Sequence, residues 1–305
     1  MRQCGRYGMF NLYSLRTRHI AALDQSQIDF FNEHGYLVIE NAVDENTLGE
    51  LTRDFAGWVD ESREQTEAYG EAFDGRPRFD VEAGHTENNP ALRRVNAPVE
   101  ISDAYYKAMT ESHMADCVSE LIGPNIKFHH SKINSKLPGT KTEVKWHQDF
   151  PFTPHSNDDL ITALLMVDEV TDENGPLEVV PGSHKGDIHS LWHNGVFTGA
   201  IAEDAAADCQ SSAVTCKGSA GSVCLMHTRL LHGSAPNLSN SPRTLFIAVY
   251  SAEDAIPQSP NPMPNKYEGL VVRGEKTNRV RSVPYDIELP QITKGASFFV
   301  QQADG

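Results

Sequence analysis

Two histidines and one aspartate could together bind a metal ion. His147 and Asp149 are separated by a single residue, and His232 follows much later in the chain. On a strand, side chains two residues apart point to the same face, so His147 and Asp149 could reach one ion. Two imidazoles and one carboxylate on one face of an octahedral ion leave the other face open for an organic ligand and a gas. That ligand set is typical of non-haem Fe(II) oxygenases.

Arg243 could hold the carboxylate of a second molecule beside such a metal. It follows His232 beyond a stretch rich in turn residues (233–237), and it precedes the apolar run 244–250. A planar guanidinium matches a carboxylate through two parallel hydrogen bonds. Each feature alone has an ordinary alternative: a chance His-x-Asp, a turn, or a solvated arginine at the start of a strand. Their order and spacing together favour a metal and cosubstrate site.

Two longer motifs around these residues resemble the phytanoyl-CoA dioxygenase family of 2-oxoglutarate oxygenases. Residues 174–185 (NGPLEVVPGSHK) are similar to the turn, strand and turn that follow the first metal ligands in that family. Residues 225–234 (LMHTRLLHGS) are similar to its second metal-ligand segment. The motifs cover residues 126–251, and within them 130–134 look most like the ectoine hydroxylase branch.

The resemblance implies three cofactors or cosubstrates, namely Fe(II), 2-oxoglutarate and O2. It implies that His147, Asp149 and His232 are the metal ligands and the catalytic residues. The C5 carboxylate of 2-oxoglutarate is then expected to meet Arg243, with Ser234 donating a hydrogen bond.

Further contacts to 2-oxoglutarate follow from the same resemblance. Matching the Asn-Gly-Pro-Leu turn places Thr162 where the family has a hydroxyl against 2-oxoglutarate. Asn134 and Lys132 are expected on a strand that lines the same pocket. Each has an ordinary alternative, because threonine is common on strands and Lys132 could simply reach solvent.

The reaction implied is hydroxylation of an unactivated C–H bond of a small-molecule metabolite, with release of succinate and CO2. Related halogenases carry a small residue in place of the carboxylate, so Asp149 favours hydroxylation over halogenation. Two other functions remain open. The chain could be an inactive jelly-roll module that binds metal and 2-oxoglutarate, or an oxygenase that acts on a protein side chain.

The composition of the chain narrows the classes of partner that the protein is expected to bind. The 305 residues carry a net charge of -16, which disfavours nucleic acids and anionic membrane surfaces because both attract cationic proteins. The 39% hydrophobic content is enough for a core, and no apolar run reaches the length of a membrane helix. The five cysteines do not have the spacing of a metal-binding motif. This pattern is typical of reduced thiols in a cytoplasmic enzyme. The oligomeric state is left open.

The pattern of apolar residues predicts a mainly β fold with helical decoration, of the double-stranded β-helix (jelly-roll, cupin-like) class. Helices are expected over 24–34, 44–66 and 101–122, and a strand over 36–39. A long loop, a candidate lid, is expected over 70–98. Beyond this lie short apolar runs separated by turns, which predict strands over 126–136, 143–147, 160–167, 177–180, 222–226 and 244–250.

The domain prediction is one oxygenase domain over 24–305, preceded by a disordered leader over 1–23. The leader is rich in arginine and has no acidic residue before Asp24, so an organelle-targeting role is an open alternative. The domain is divided into a helical part (24–125), a jelly-roll core (126–251) and a carboxy-terminal extension (252–305). Basic residues within 273–281 are expected on a solvated arm or folded back over the pocket.

Overall fold

The α-helices lie mostly ahead of the long strands in the computed structural model, which describes residues 21–291 and residue 302. Asp24 begins the first helix by accepting a hydrogen bond from Gln27 N, and Gly35 ends it with a φ of 79°, a conformation that glycine adopts without strain. The helix predicted over 24–34 is therefore confirmed. In this part of the chain the helices are α1 (Gln25–His34), α2 (Glu45–Ser62), α3 (Asp103–Glu111), α4 (His113–Ile122) and α5 (Glu203–Ser212). None of them has both the length and the apolar character needed to span a bilayer.

Short strands separated by turns dominate the chain beyond residue 126, as the sequence predicts. The predicted strands there are all present, with bounds that shift by one or two residues. The described strands are β1 (Tyr36–Ile39), β2 (Phe79–Val81), β3 (Leu92–Asn96), β4 (Ile126–Lys136), β5 (Val144–His147), β6 (Leu160–Met166), β7 (Leu177–Val179), β8 (Trp192–His193), β9 (Val196–Phe197), β10 (Val214–Cys216), β11 (Val223–His227), β12 (His232–Ser234), β13 (Arg243–Ala252) and β14 (Val271–Arg273).

Two antiparallel sheets stack on each other and form the jelly roll. The larger sheet has the strand order β1-β11-β6-β13-β4-β3-β2, with β14 beside β4, and the smaller sheet has the order β10-β7-β12-β5. Apolar side chains of both sheets, including Leu164 and Leu177, pack in one cluster between them. The predicted fold class is confirmed.

The central strand β13 shows how the larger sheet is held. All 10 of its residues are buried. Leu245 and Ile247 pack toward the smaller sheet, whereas Phe246 and Tyr250 pack in the cluster that contains Tyr105 of α3. A strand covered on both faces can be apolar throughout. The helices therefore cover the outer face, and the inner face is left to line the space between the sheets.

Residues 70–98 differ from the prediction of a loop, because they contain β2 and β3. These strands extend the larger sheet beyond β4, with Arg94 opposite Asn134 and Asn96 opposite Lys132. They are short and carry charged side chains, so they lack the apolar run that marks the other strands. The helix predicted over 101–122 is also divided, since Ser112 has an extended backbone (φ -81°, ψ 161°) between α3 and α4.

Both ends of the described chain pack against the domain body. The leader prediction was wrong for residues 21–23, because Ala22 N and Leu23 N donate to the Glu120 carboxylate at 2.7 and 2.8 Å and Leu23 is buried. Residues 1–20 lie outside the described chain. In the carboxy-terminal extension, β14 pairs with β4 and Arg273 Nε donates to Asp116 Oδ1 at 2.7 Å. A freely solvated arm is therefore wrong for this segment.

Candidate metal and cosubstrate site

Three of the predicted residues converge at one point between the sheets. One ligand atom each of His147, Asp149 and His232 lies within 4.8 Å of the others. Asp149 Oδ1 is 3.6 Å from His147 Nε2 and 3.7 Å from His232 Nε2. In residues 21–291 and 302, no other group of three His, Cys, Asp or Glu side chains comes together in this way.

The smaller sheet positions the two histidines. His147 is the last residue of β5 and His232 is the first residue of β12, and the two are directly opposite each other in the antiparallel pair. Their rings lie 4.1 Å apart, centroid to centroid. Strand pairing therefore brings together two imidazoles that are far apart in the sequence.

Asp149 reaches the same point by a different route from the one predicted. It lies beyond the end of β5 with a helical backbone (φ -74°, ψ -30°) and begins the 3-10 turn Phe150–Phe152. Pro151 lacks an N–H and cannot continue a strand ladder. The expectation that His147 and Asp149 share one face of a strand was wrong, although their side chains do converge.

The hydrogen bonds of the two imidazoles fit a metal site. His147 Nδ1 is 2.8 Å from Lys145 O, and His232 Nδ1 is 2.9 Å from Leu230 O. A carbonyl only accepts, so each Nδ1 carries the proton and each Nε2 keeps its lone pair. Both lone-pair nitrogens face Asp149 Oδ1, as metal ligation through Nε2 requires.

The ionisation states of these side chains also fit a metal site. Burial lowers the pKa of His232 to about 4, with His147 adding to the effect, so the ring is neutral at pH 7. Burial disfavours the charged form of Asp149, yet the two nearby imidazoles hold its pKa well below its usual value. A neutral imidazole and an ionised carboxylate are the forms that ligate a divalent ion.

Thr162 contacts a predicted metal ligand. Its hydroxyl donates to Asp149 Oδ2 at 2.6 Å, which leaves Oδ1 turned toward the imidazoles. Thr162 also lines the cavity beside the three residues, so its predicted contact with 2-oxoglutarate stays a prediction. The hydrogen bond to Asp149 gives it a second role, which the sequence did not indicate.

A cavity extends from this point between the two sheets. All eight predicted site residues line it. Its walls are otherwise largely apolar side chains of the larger sheet, including Leu164, Leu245 and Ile247. A mostly apolar space with a few convergent polar groups is the usual form of a small-molecule site.

A cluster of polar and cationic groups, Lys136, Ser234 and Arg243, forms one end of the cavity and is called here the cationic end. Arg243 is opposite Lys136 across β13 and β4, and Lys136 Nζ donates to Ser234 Oγ at 2.7 Å. Arg243 Nε donates to Gly175 O at 3.0 Å. The two cations and the hydroxyl can together hold a carboxylate.

Burial shifts both cations of this end. It lowers the pKa of Lys136 to about 6, with Arg243 adding to the effect. It also lowers the pKa of Arg243 to about 10, which Asp168 partly offsets. Two like charges in a buried space are costly without an anion, so the cationic end is built for an anionic ligand.

Lys136 is the functional candidate that the sequence prediction missed. Lys132, Asn134 and Lys136 alternate along β4 and all three line the cavity. The family resemblance placed Lys132 and Asn134 on this pocket, and side chains two residues apart on a strand share one face. The same alternation, carried two residues further, could have found Lys136.

Comparisons with known proteins agree with this geometry. Residues 31–245 match the model of the phytanoyl-CoA dioxygenase (PhyH) family. The chain is 35% identical over 242 residues to a probable alpha-ketoglutarate-dependent hypophosphite dioxygenase from Stutzerimonas stutzeri, covering 77% of this chain and 84% of the relative. It is 26% identical over 207 residues to L-proline trans-4-hydroxylase from Streptomyces griseoviridis, covering 61% of this chain and 75% of that protein.

Solved structures show the same fold. The apo form of EctD from S. alaskensis superposes with a TM-score of 0.67 at 22% identity, covering 84% of this chain and 89% of that chain. The family model spans most of the described chain, and it includes both histidine strands and the Asp149 turn. This protein therefore belongs to the phytanoyl-CoA dioxygenase family of Fe(II)- and 2-oxoglutarate-dependent dioxygenases.

Proposed function

We propose that the protein oxidises a small molecule, with 2-oxoglutarate as cosubstrate and release of succinate and CO2. The observation that carries this proposal is the pairing of two kinds of site in one cavity. His147, Asp149 and His232 converge as a metal-binding set, and the cationic end lies in the same space. A dicarboxylate with a chelating keto acid group can satisfy both.

His147, Asp149 and His232 would hold Fe(II), and the cationic end would hold the C5 carboxylate of 2-oxoglutarate. Iron and 2-oxoglutarate, when bound, supply the activation of O2 and the oxidising power. The protein supplies orientation: backbone carbonyls fix the tautomer of both imidazoles, and Thr162 fixes the carboxylate of Asp149.

The other residues of the cavity would exclude water and position the substrate. Leu164, Leu245 and Ile247 form a buried apolar wall, which protects a reactive centre from solvent. Retention of the Asp149 carboxylate supports hydroxylation, because it fills the position that a halide would need. We assign hydroxylation of a C–H bond as the leading reaction.

Oxidation of a phosphorus oxyanion is a second candidate. The relative from Stutzerimonas stutzeri is named for hypophosphite and shares 35% identity with this chain. Hypophosphite offers a P–H bond in place of a C–H bond, and the remaining parts of the site serve both reactions without change.

Succinate release tests the proposal. Protein loaded with Fe(II) is incubated with 2-oxoglutarate and oxygen, alone and with hypophosphite, L-proline, ectoine or a peptide library. We expect at least one small molecule to stimulate succinate formation in native protein and not in His232→Ala. Stimulation by peptides alone would favour an oxygenase of protein side chains. Binding of iron and 2-oxoglutarate without succinate from any mixture would favour an inactive binding module.

A further inference from the structure

Lys132 differs from the other two cations of the cavity. Lys136 and Arg243 donate to oxygen atoms of neighbouring segments. Lys132 also lines the cavity, yet no hydrogen bond or ion pair joins its ammonium group to any other part of the chain over 21–291 and 302. Lys132 is half-buried, so its ammonium group remains available to a ligand in the cavity.

The strand geometry separates Lys132 from the cationic end. Along β4, Lys132 and Lys136 are four residues apart, which corresponds to about 13 Å between their Cα atoms. The charge of Lys132 lowers the pKa of Asp149 and that of His232, whereas Arg243 lowers the pKa of Lys136. Lys132 therefore belongs to the metal side of the cavity.

Neighbouring polar groups add to the positive character of this side. Asn134 also lines the cavity, and its Oδ1 accepts a hydrogen bond from Arg94 Nε at 3.1 Å. That bond turns the amide NH2 of Asn134 away from Arg94 and leaves it as a donor. Burial and Arg94 lower the pKa of Lys132 to about 8, so it is still a cation at pH 7.

The charged groups that act on Lys132 are Arg94 and Asp149. The carboxylate of Asp149 is turned to the two imidazoles and to Thr162. An oxyanion of the substrate would therefore supply Lys132 with a hydrogen-bonding partner.

We propose that Lys132, with Asn134 beside it, binds an oxyanion group of the substrate next to the metal ligands. The substrate class is then a small acid whose carboxylate or phosphorus oxyanion meets Lys132. This rests on the proposed function, and it moves Lys132 from the predicted cosubstrate contacts to the substrate. Neutral and cationic molecules of the same size are poor ligands for this site.

Calorimetric titration of small probes tests the assignment. Each probe is added, without oxygen, to protein holding Fe(II) and one equivalent of 2-oxoglutarate. The probes are hypophosphite, methylphosphonate and acetate, with acetamide and methylammonium as neutral and cationic counterparts. We expect saturable binding of at least one oxyanion and none of the counterparts, and the strongest of the three probes distinguishes the phosphorus class from the carboxylate class.

Variants at Lys132 give the decisive contrast. Lys132→Met is expected to weaken binding of the preferred oxyanion by at least about 30-fold, while Lys132→Arg retains most of it. Lys141→Met is the matched control, since Lys141 is exposed on the segment between β4 and β5 and loses the same charge. Lys132→Gln serves as a second neutral variant if Lys132→Met does not fold.

A separate readout keeps this proposal distinct from the proposed function. Binding of 2-oxoglutarate is followed through the visible charge-transfer absorption of its Fe(II) complex. We expect that absorption, and the 2-oxoglutarate affinity, to be unchanged in Lys132→Met. The assignment is overturned if no oxyanion binds better than acetamide, if Lys132→Met binds it like native protein, or if the variant instead loses 2-oxoglutarate. Absence of the absorption in native protein would count against the proposed function itself.

Discussion

The metal ligands and the cationic end share one cavity but are held in place differently. Each histidine ligand is oriented by a carbonyl two residues earlier in the chain, Lys145 O or Leu230 O. In the cationic end, Lys136 and Arg243 are held by Ser234 and Gly175, which come from distant parts of the chain. The first arrangement is local and the second depends on tertiary structure, so changes in the two regions should have separable effects.

Loss of a histidine ligand should have the largest effect. His147→Ala or His232→Ala is expected to abolish both iron retention and turnover, because two remaining ligands do not hold a labile divalent ion against water. Metal analysis after gel filtration, with succinate release, measures both. His34→Ala is the control, since His34 is half-buried at the end of α1. Full iron occupancy in either ligand variant would remove that residue from the site.

Removal of Arg243 should separate the two regions. Arg243→Ala is expected to raise the 2-oxoglutarate concentration needed for half-maximal turnover by about tenfold or more, because truncating one partner of a buried charge pair is costly. Iron should stay bound. Arg243→Lys should rescue poorly, since it replaces a planar fork with a point charge. An unchanged 2-oxoglutarate requirement in Arg243→Ala would place the carboxylate elsewhere.

Replacement of Thr162 should have a smaller effect, on the affinity for iron. Thr162→Val keeps the shape of the side chain but loses the donor to Asp149 Oδ2. We expect iron affinity to fall by about tenfold, as is usual for a group that orients a metal ligand, with 2-oxoglutarate affinity affected less. Competition with a chelator measures the first quantity. A larger loss in 2-oxoglutarate affinity than in iron affinity would support instead the contact to 2-oxoglutarate predicted from the sequence.

The smallest effect is expected at the cationic end, where Lys136 should take up a proton when 2-oxoglutarate binds. Its pKa of about 6 leaves it mostly neutral at pH 8, and an arriving carboxylate favours the ammonium form and raises the pKa. Binding of 2-oxoglutarate at pH 8 should therefore take up as much as about one proton, an uptake that vanishes below pH 6. Calorimetry in two buffers of different ionisation enthalpy measures it. Uptake that persists in Lys136→Met would assign the proton to another group.

Most of the site residues were predicted from the sequence, whereas Lys136 and the turn at Asp149 were not. His147, Asp149 and His232 stand in short motifs, and Arg243 opens an obvious apolar strand. Lys136 continues the alternation of Lys132 and Asn134 along β4, but only the register of β4 against β13 shows that it lies opposite Arg243. The turn at Asp149 was missed because the two-residue spacing fits a strand equally well, and Pro151 is the feature that ends it.

The prediction of the fold also succeeded for some elements and failed for others. Long apolar strands such as β4, β6 and β13 follow from periodicity, as does the helix that Asp24 caps. The strands β2 and β3 were not predicted, because they are short and carry charged residues, of which Asp80 is buried in a pair with Arg93. A sequence shows the charge of these side chains, whereas their burial depends on partners that only the folded chain brings together.

An anaerobic titration of 2-oxoglutarate into Fe(II)-loaded protein tests the central claim most directly. The claim is that one cavity holds iron at His147, Asp149 and His232 and the cosubstrate carboxylate at the cationic end. We predict a visible charge-transfer absorption that saturates at one 2-oxoglutarate per chain, is absent in His232→Ala, and needs more 2-oxoglutarate in Arg243→Ala. An iron-loaded native protein that develops no such absorption at any 2-oxoglutarate concentration would contradict the account.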